Sequence, residues 1–182
     1  MNIEKATSIY FSPTESTKKI LSIMTENLPL PSEEIDLTSH CQNNRRQSFS
    51  SREIVILGIP VYGGRVPAIA VERMQKMQGR QTPAILVATY GNRAYDDALL
   101  ELADIARENG FIPVAAGAFI TEHSIMHSVA QGRPDEADNE KIIDFTLQAW
   151  GKIQNAEDIS QLSLLKISGN TPYLEYKGAS WR

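Results

Sequence analysis

The sequence is poor in the residues and patterns that mark several classes of protein. Its single cysteine, Cys41, rules out an internal disulfide and any zinc site or iron–sulfur cluster held by the chain's own thiolates. No apolar run approaches the roughly 20 residues that span a bilayer. The apolar stretch in residues 1–11 is too short and too interrupted for a signal peptide. We therefore expect a cytoplasmic protein that does not enter a membrane.

Charge and nucleotide-binding motifs are equally sparse. A net charge of −4 without a basic block provides no long-range attraction to nucleic acid or to an anionic membrane. The sequence has no G-x-G-x-x-G run after its first predicted strand and no G-x-x-x-x-G-K-[ST], which argues against a dinucleotide fold and a Walker-type NTPase. Of His40, His123 and His127, the last two have helical i, i+4 spacing, but no third ligand follows at a suitable distance. We predict no metal site.

What is present is a regular alternation of strand and helix patterns. Apolar, β-rich runs predict strands at 6–11, 34–37, 54–59, 84–89 and 114–120. Helical spacing of apolar residues predicts helices at 18–27, from near Pro67, at 96–109 and at about 138–153. The polar stretch 39–52 is interpreted as a surface connection. We expect one domain over residues 1–155, followed by an extension, 156–182, that packs on it or trails from it.

This alternation is typical of an α/β protein with a doubly wound parallel sheet. Right-handed crossovers then place helices on both faces of the sheet. Ligands of such sheets bind outside the carboxyl ends of the strands. The loops expected there are residues 12–17, 60–67 and 89–95.

The first of these loops is rich in hydroxyl groups. It carries Ser12, Thr14, Ser16 and Thr17 between a predicted strand and the start of a predicted helix. The free amides of a helix N-terminus, aided by the macrodipole, stabilise a phosphate without any lysine or arginine. Ordinary N-capping is the alternative. Four hydroxyls in six positions exceed what one cap requires, so we predict a monophosphate site.

The second and third loops carry tyrosines beside glycines. Loop 60–67 contains Tyr62 and two glycines, and loop 89–95 contains two tyrosines and one glycine. A single tyrosine at a half-buried edge is usually a core or rim residue. Two such loops flanking a phosphate site favour a flat ring stacked between them, with glycines that let the backbone approach it closely.

These loops resemble a known family. The segments SPTEST, PVYGGRVP and TYGNRAYDDAL look like the three FMN-binding loops of the flavodoxin superfamily. With GAFITEHSI and QGRPDEAD, they are most similar to the flavodoxin domain of bacterial and archaeal flavodoxin/ferredoxin fusion proteins. The resemblance covers essentially the whole chain. It implies a five-stranded sheet of order 2-1-3-4-5 and FMN as the cofactor.

The resemblance also implies the contacts. The first loop would hold the FMN phosphate, the other two would flank the isoalloxazine, and no catalytic residue is implied. The residues are Ser12, Thr14, Glu15, Ser16 and Thr17, then Pro60, Val61, Tyr62, Gly63 and Gly64, then Thr89, Tyr90, Gly91, Asn92 and Tyr95. Glu15 departs from the family, which usually has glycine there. We expect its carboxylate to point to solvent, since it would otherwise weaken FMN binding.

Three functions remain open from the sequence. The first is electron transfer as a monomer or homodimer with a separate redox protein, a ferredoxin or a reductase, because the cysteine-rich motifs of the fusion proteins are missing here. The second is an FMN-dependent NAD(P)H:quinone or small-molecule reductase. In it, Arg65 and Arg93 would bind an anionic group rather than being solvated surface arginines. The third is a flavodoxin fold that has lost FMN and serves as a binding or regulatory module.

Overall fold

The computed structural model describes residues 1–39, 46–162 and 165–175. The strands in these ranges are β1 (Lys5–Tyr10), β2 (Ser32–Asp36), β3 (Gln47–Phe49), β4 (Glu53–Pro60), β5 (Met77–Gly79), β6 (Thr82–Tyr90) and β7 (Phe111–Ile120). The helices are α1 (Ser16–Glu26), α2 (Ala68–Met74), α3 (Ala98–Glu108) and α4 (Glu136–Asn155), followed by a 3₁₀ turn at Ile159–Leu162. None of these described helices combines the length and the apolar composition needed to cross a membrane.

Five of the strands form one parallel sheet of order β2-β1-β4-β6-β7. In the numbering of the five predicted strands this is 2-1-3-4-5, so the predicted topology is confirmed. The chain passes from β1 to β2 on one side and then crosses to β4 on the other. The switch point therefore lies between β1 and β4, and the carboxyl ends of these strands open at one edge of the sheet.

The sheet is buried on both faces. Along β4, Ile54 and Ile56 pack into a core built with α1 and α4. The alternate residues Val55, Leu57 and Ile59 pack into a second core built with α2 and α3. Because successive side chains of a strand point to opposite faces, one continuous apolar run fills both cores. The expectation of helices on both faces is confirmed.

Two short strands were not predicted. Strands β3 and β5 pair in parallel as a separate two-stranded sheet. The interpretation of residues 39–52 as a polar surface connection is wrong for β3, since Phe49 is buried and its ring lies 5.8 Å from that of Phe111. Three residues are too few to show a strand pattern in the sequence. His40 and Cys41 lie outside the described residues.

Helix boundaries differ from the prediction by about two residues. Helix α1 begins at Ser16, and α3 begins only at Ala98 because Asp96 has a φ of 40°, outside the helical range. Helix α4 begins at Glu136, directly after a capping box in which the side chains of Asp135 and Asp138 accept from each other's backbone N–H.

A matched pair of threonines tests how hydroxyl groups contribute to this core. Thr7 in β1 is buried, and its hydroxyl has no hydrogen-bond partner within the described ranges. Thr82 in β6 is also buried, but its hydroxyl donates to the carbonyl of Phe49 at 2.7 Å and accepts from the N–H of Arg80 at 3.1 Å.

We expect Thr7→Val to raise the free energy of unfolding by about 1 kcal/mol, because it removes an unpaired buried hydroxyl. Thr82→Val should lower it by about 1–3 kcal/mol, because two hydrogen bonds are lost. Urea denaturation with unchanged m-values measures both changes. Equal destabilisation by the two substitutions would contradict the assignment.

Candidate functional site

One cleft opens where four parallel strands end. It is lined by residues 12–14, 16, 17, 60–62, 89–91 and 121–124, which follow or end β1, β4, β6 and β7. The three predicted loops are therefore brought together. The fourth segment, residues 121–124, was missed, although it follows the strand predicted at 114–120 and lies in the GAFITEHSI segment of the family resemblance.

Most of the predicted residues line this cleft, and some do not. Those that line it are Ser12, Thr14, Ser16, Thr17, Pro60, Val61, Tyr62, Thr89, Tyr90 and Gly91. Those that lie in the same loops but outside the lining are Glu15, Gly63, Gly64, Asn92 and Tyr95. The additional lining residues are Pro13, Thr121, Glu122, His123 and Ser124.

The first loop presents backbone donors at the start of α1. Ser12 acts as a cap, because its Oγ accepts from the N–H of Lys18 at 3.1 Å. Within the described residues, the N–H groups of Thr14, Ser16 and Thr17 donate to no other group. Capping and anion binding are therefore compatible here: one hydroxyl closes the helix, and three amides remain available for an anion.

The four hydroxyls of this loop divide into two pairs. Ser12 and Thr17 are buried, and Thr17 Oγ1 lies 2.8 Å from Oγ1 of Thr89 at the end of β6. Thr14 and Ser16 carry the outer hydroxyls, 3.4 Å apart. The Thr17 hydroxyl ties the start of α1 to the sheet, the Ser12 hydroxyl caps α1, and the outer pair adds polar groups at the cleft.

Glu15 occupies a backbone position that favours glycine. Its φ is 60°, in the left-handed region where a side chain is strained. The side chain is 73% exposed, with Oε2 3.8 Å from Nζ of Lys18. The carboxylate therefore points to solvent, as expected, and glycine is the residue best suited to this backbone conformation.

In the second loop, a tight turn presents Tyr62. Gly63 and Gly64 have φ of 58° and 82°, and the N–H of Tyr62 donates to the carbonyl of Arg65 at 3.0 Å while Arg65 donates back at 3.2 Å. Positive φ at both central positions requires residues such as glycine. The Tyr62 side chain is half-exposed at the cleft, and its partial burial raises the pKa of the phenol. It remains a neutral aromatic surface at neutral pH.

Arg65 does not face the cleft as a free cation. Its Nε and Nη2 each donate to a carboxylate oxygen of Glu101 at 2.7 Å, and these hydrogen bonds raise its pKa. This bidentate pair uses the fork geometry of the guanidinium, so the interpretation of Arg65 as a solvated surface arginine is wrong, and its role toward an anionic group stays a prediction. Arg93 is different: its side chain is 82% exposed, 3.9 Å from Asp96.

The third loop packs closely against the fourth segment. The rings of Tyr90 and Tyr95 meet edge to face, with centroids 5.6 Å apart. Asn92 has a φ of 62°. Gly91 lies so near His123 that a Cβ at this position would come within 2.7 Å of Cδ2 of the imidazole. A glycine is required here by this close approach.

The fourth segment is held by its own polar contacts. Nδ1 of His123 accepts from the N–H groups of Ile125 and Met126 at 3.2 and 3.1 Å, so a neutral ring carries its proton on Nε2. The carboxylate of Glu122 contacts Nδ1 of His127 at 2.7 Å, and a hydrogen bond from the N–H of Gly132 lowers its pKa. Across the described ranges, no group of three or more metal-ligating side chains is placed to hold a metal ion.

The cleft is small, with a volume of about 70 Å³. Such a space suits a phosphate group rather than a whole nucleotide. A ring attached to that phosphate would have to lie at the open mouth, beside Tyr62 and Tyr90.

Comparisons with known proteins identify the fold. No family model and no curated protein sequence matches this chain. Solved structures do match. The rubredoxin:oxygen oxidoreductase of Desulfovibrio gigas is 14% identical over 84% of this chain, with a TM-score of 0.56. This chain spans only 38% of that oxidoreductase.

Two smaller proteins match along nearly their whole length. A Fusobacterium nucleatum flavodoxin, solved with flavin mononucleotide bound, is 13% identical over 82% of this chain and 99% of its own, with a TM-score of 0.55. An NADH:FMN oxidoreductase in its apo form is 12% identical over 88% of this chain and 95% of its own, with a TM-score of 0.56. At these identities the likeness concerns architecture. The chain therefore has the fold of the flavodoxin superfamily.

Proposed function

We propose that this protein binds FMN in the cleft and carries electrons between separate redox proteins. One observation carries the proposal: Thr14, Ser16 and Thr17, whose amides have no partner within the described residues, line the same cleft as Tyr62 and Tyr90. Amides at a helix N-terminus suit a phosphate dianion, and the two phenol rings suit a flat heterocycle. When bound, FMN supplies the electron-transfer chemistry.

The donor set explains how this chain would select its ligand. Three amides and the hydroxyls of Thr14 and Ser16 provide hydrogen bonds for phosphate oxygens, and no arginine or lysine is needed. Tyr62 would cover part of the ring while excluding water from that side. Because this side chain is 41% exposed, the ring would lie near the surface, where a ferredoxin or a reductase can exchange electrons with it. The FMN-bound flavodoxin of the same fold supports this arrangement by analogy.

A second candidate is reduction of a quinone or small molecule with NAD(P)H. It is favoured by an apolar groove of about 520 Å³ next to Tyr62, lined by Val66, Pro67, Ile69 and Val71 among others. Such a groove gives space beside a ring for a nicotinamide or a quinone. The exposed Arg93 is available for an anionic group, whereas Arg65 is paired. Steady-state oxidation of NADPH in the presence of a quinone separates a reductase from a carrier.

The proposal is tested first by flavin retention. We expect purified protein mixed with excess FMN and then desalted to keep one equivalent with a perturbed visible spectrum. Riboflavin should bind more weakly, because it lacks the phosphate that the α1 amides would hold. Loss of all FMN on desalting would reject the carrier and reductase functions and leave a flavodoxin fold that acts as a binding or regulatory module.

Glu15 provides a test of whether the first loop binds the phosphate of FMN. Removing its negative charge by Glu15→Gln or Glu15→Gly should tighten FMN binding about twofold to fivefold at low salt, and less at high salt. Riboflavin affinity should not change. Glu15→Gly should also raise the free energy of unfolding by about 1 kcal/mol, because it relieves the left-handed backbone strain.

The matched control is Glu26→Gln, because Glu26 lies at the other end of α1. An eleven-residue helix places it about 15 Å from the first loop. The substitution removes the same charge from the same helix, and we expect no change in FMN affinity. A tightening as large as that of Glu15→Gln would mean that net charge, rather than a phosphate at the first loop, is responsible.

Gly91 tests the contact between the third loop and the fourth segment. Gly91→Ala should weaken FMN binding about tenfold, because the new methyl group pushes His123 and narrows the cleft. Gly151→Ala in α4, where a Cβ meets nothing within 4 Å, is the control and should leave FMN binding unchanged. An unaltered FMN dissociation constant in folded Gly91→Ala protein would show that the fourth segment is not part of the flavin site.

A further inference from the structure

The C-terminal segment 165–175, here called the strap, is anchored to a buried carboxylate at the start of α3. Asp97 is fully buried. Its Oδ1 accepts from the backbone N–H and the side-chain amide of Asn170, at 2.8 and 3.1 Å, and its Oδ2 accepts from the N–H of Leu174 at 2.7 Å. These bonds hold the pKa of Asp97 below its usual range. Releasing the strap would leave an ionised carboxylate without these donors, which is strongly unfavourable unless water replaces them.

The strap also contacts the second loop through Arg65. The ring of Tyr173 lies under the guanidinium of Arg65, 4.8 Å from its Cζ, and the hydroxyl of Tyr173 donates to Asp104 at 2.6 Å. Burial and the hydrogen bond to Asp104 raise the pKa of Tyr173, so it stays a donor. Nη1 of Arg65 donates to the carbonyl of Leu174 at 2.8 Å. The guanidinium is thus held by the strap on one side and by Glu101 on the other.

The same part of α3 holds the glycine turn that presents Tyr62. The N–H of Asp97 donates to the carbonyl of Gly64 at 3.1 Å, and Glu101 accepts from the N–H of Val66 at 2.9 Å. Strap, α3 and second loop therefore form one hydrogen-bonded unit. Within the described ranges, no hydrogen bond joins the strap to the first loop, which is tied to Thr38 and Thr89 instead.

We propose that the strap is a positioning element for the second loop: by holding Arg65 and the start of α3, it sets where Tyr62 lies against a flavin ring. Asp97 and Tyr173 are positioning residues, because they act on the ring through the second loop. The first loop, where the phosphate of FMN would bind, does not depend on these two residues. The reference to a flavin rests on the proposed function.

The experiment compares two neighbouring strap residues in the full chain. Tyr173→Leu removes both the ring under Arg65 and the hydroxyl on Asp104, at a half-buried position. Leu174→Ala is the matched control, since the hydrogen bonds of Leu174 come from its backbone and its side chain is 47% exposed. Two readouts are needed: dissociation constants for FMN and riboflavin, and hydrogen–deuterium exchange of the amides of Tyr62, Arg65 and Val66 without flavin.

We expect Tyr173→Leu to weaken FMN and riboflavin binding by the same factor, about fivefold to tenfold. The three amides should exchange faster, while exchange in the first loop stays unchanged. Leu174→Ala should match the unaltered protein in every readout. Asp97→Asn, which replaces an acceptor oxygen by a donor, should act in the same direction and more strongly.

Other results overturn the inference. Unchanged amide exchange in folded Tyr173→Leu protein would show that the strap does not hold the second loop. Faster exchange with unchanged flavin affinity would show that the second loop does not position the ring. An equal effect of Leu174→Ala would mean that any change in the strap loosens the second loop and that the Tyr173 side chain has no specific role. If the unaltered protein binds neither flavin, the proposed function fails, and the exchange data still decide whether the strap holds the loop.

Discussion

Parallel pairing of β1, β4 and β6 is the constraint on which the rest of this structure depends. Because every crossover returns the chain to the same end of the sheet, the loops after these strands meet at one edge. The register pairs Tyr10 with Gly58 and Pro60 with Thr89, so the strands end nearly level. Burial of β4 on both faces specifies this register strongly, since a shift by one residue would move each side chain into the opposite core. The cleft is a consequence of that sheet.

The chemistry of the cleft comes largely from the backbone. Several charged side chains around it have partners: Arg65 pairs with Glu101, Glu15 with Lys18 and Glu122 with His127. The amides at the start of α1 remain available to an anion, and glycine backbone allows close approach in the loops that follow β4 and β6. A site of this kind selects its ligand by shape and by the placement of neutral donors. This suits a phosphate joined to a flat ring better than it suits a small charged metabolite.

The buried carboxylate of Asp97 links parts of the chain that are far apart in sequence. It joins the strap to the start of α3, and its own N–H reaches the glycine turn of the second loop. Arg65 and Leu174, which are in hydrogen-bond contact, are 109 positions apart. A mobile ring-flanking loop would have to be ordered again on each binding event, at a cost in conformational entropy. Fixing it through a second segment removes part of that cost.

The amino-acid sequence by itself determined the features that depend on local patterns. These are the five sheet strands, the helices between them and the three hydroxyl- and tyrosine-bearing loops at the strand ends, because periodicity and strand-end chemistry are properties of neighbouring residues. Only the tertiary structure decided the partner of Arg65, the burial of Asp97, the strand pairing of Gln47–Phe49 and the fourth wall of the cleft at 121–124. The first three depend on contacts between residues distant in the chain, and such contacts leave no local pattern in the sequence. Residues 121–124 follow a predicted strand, but only the packing of the chain showed that they line the cleft.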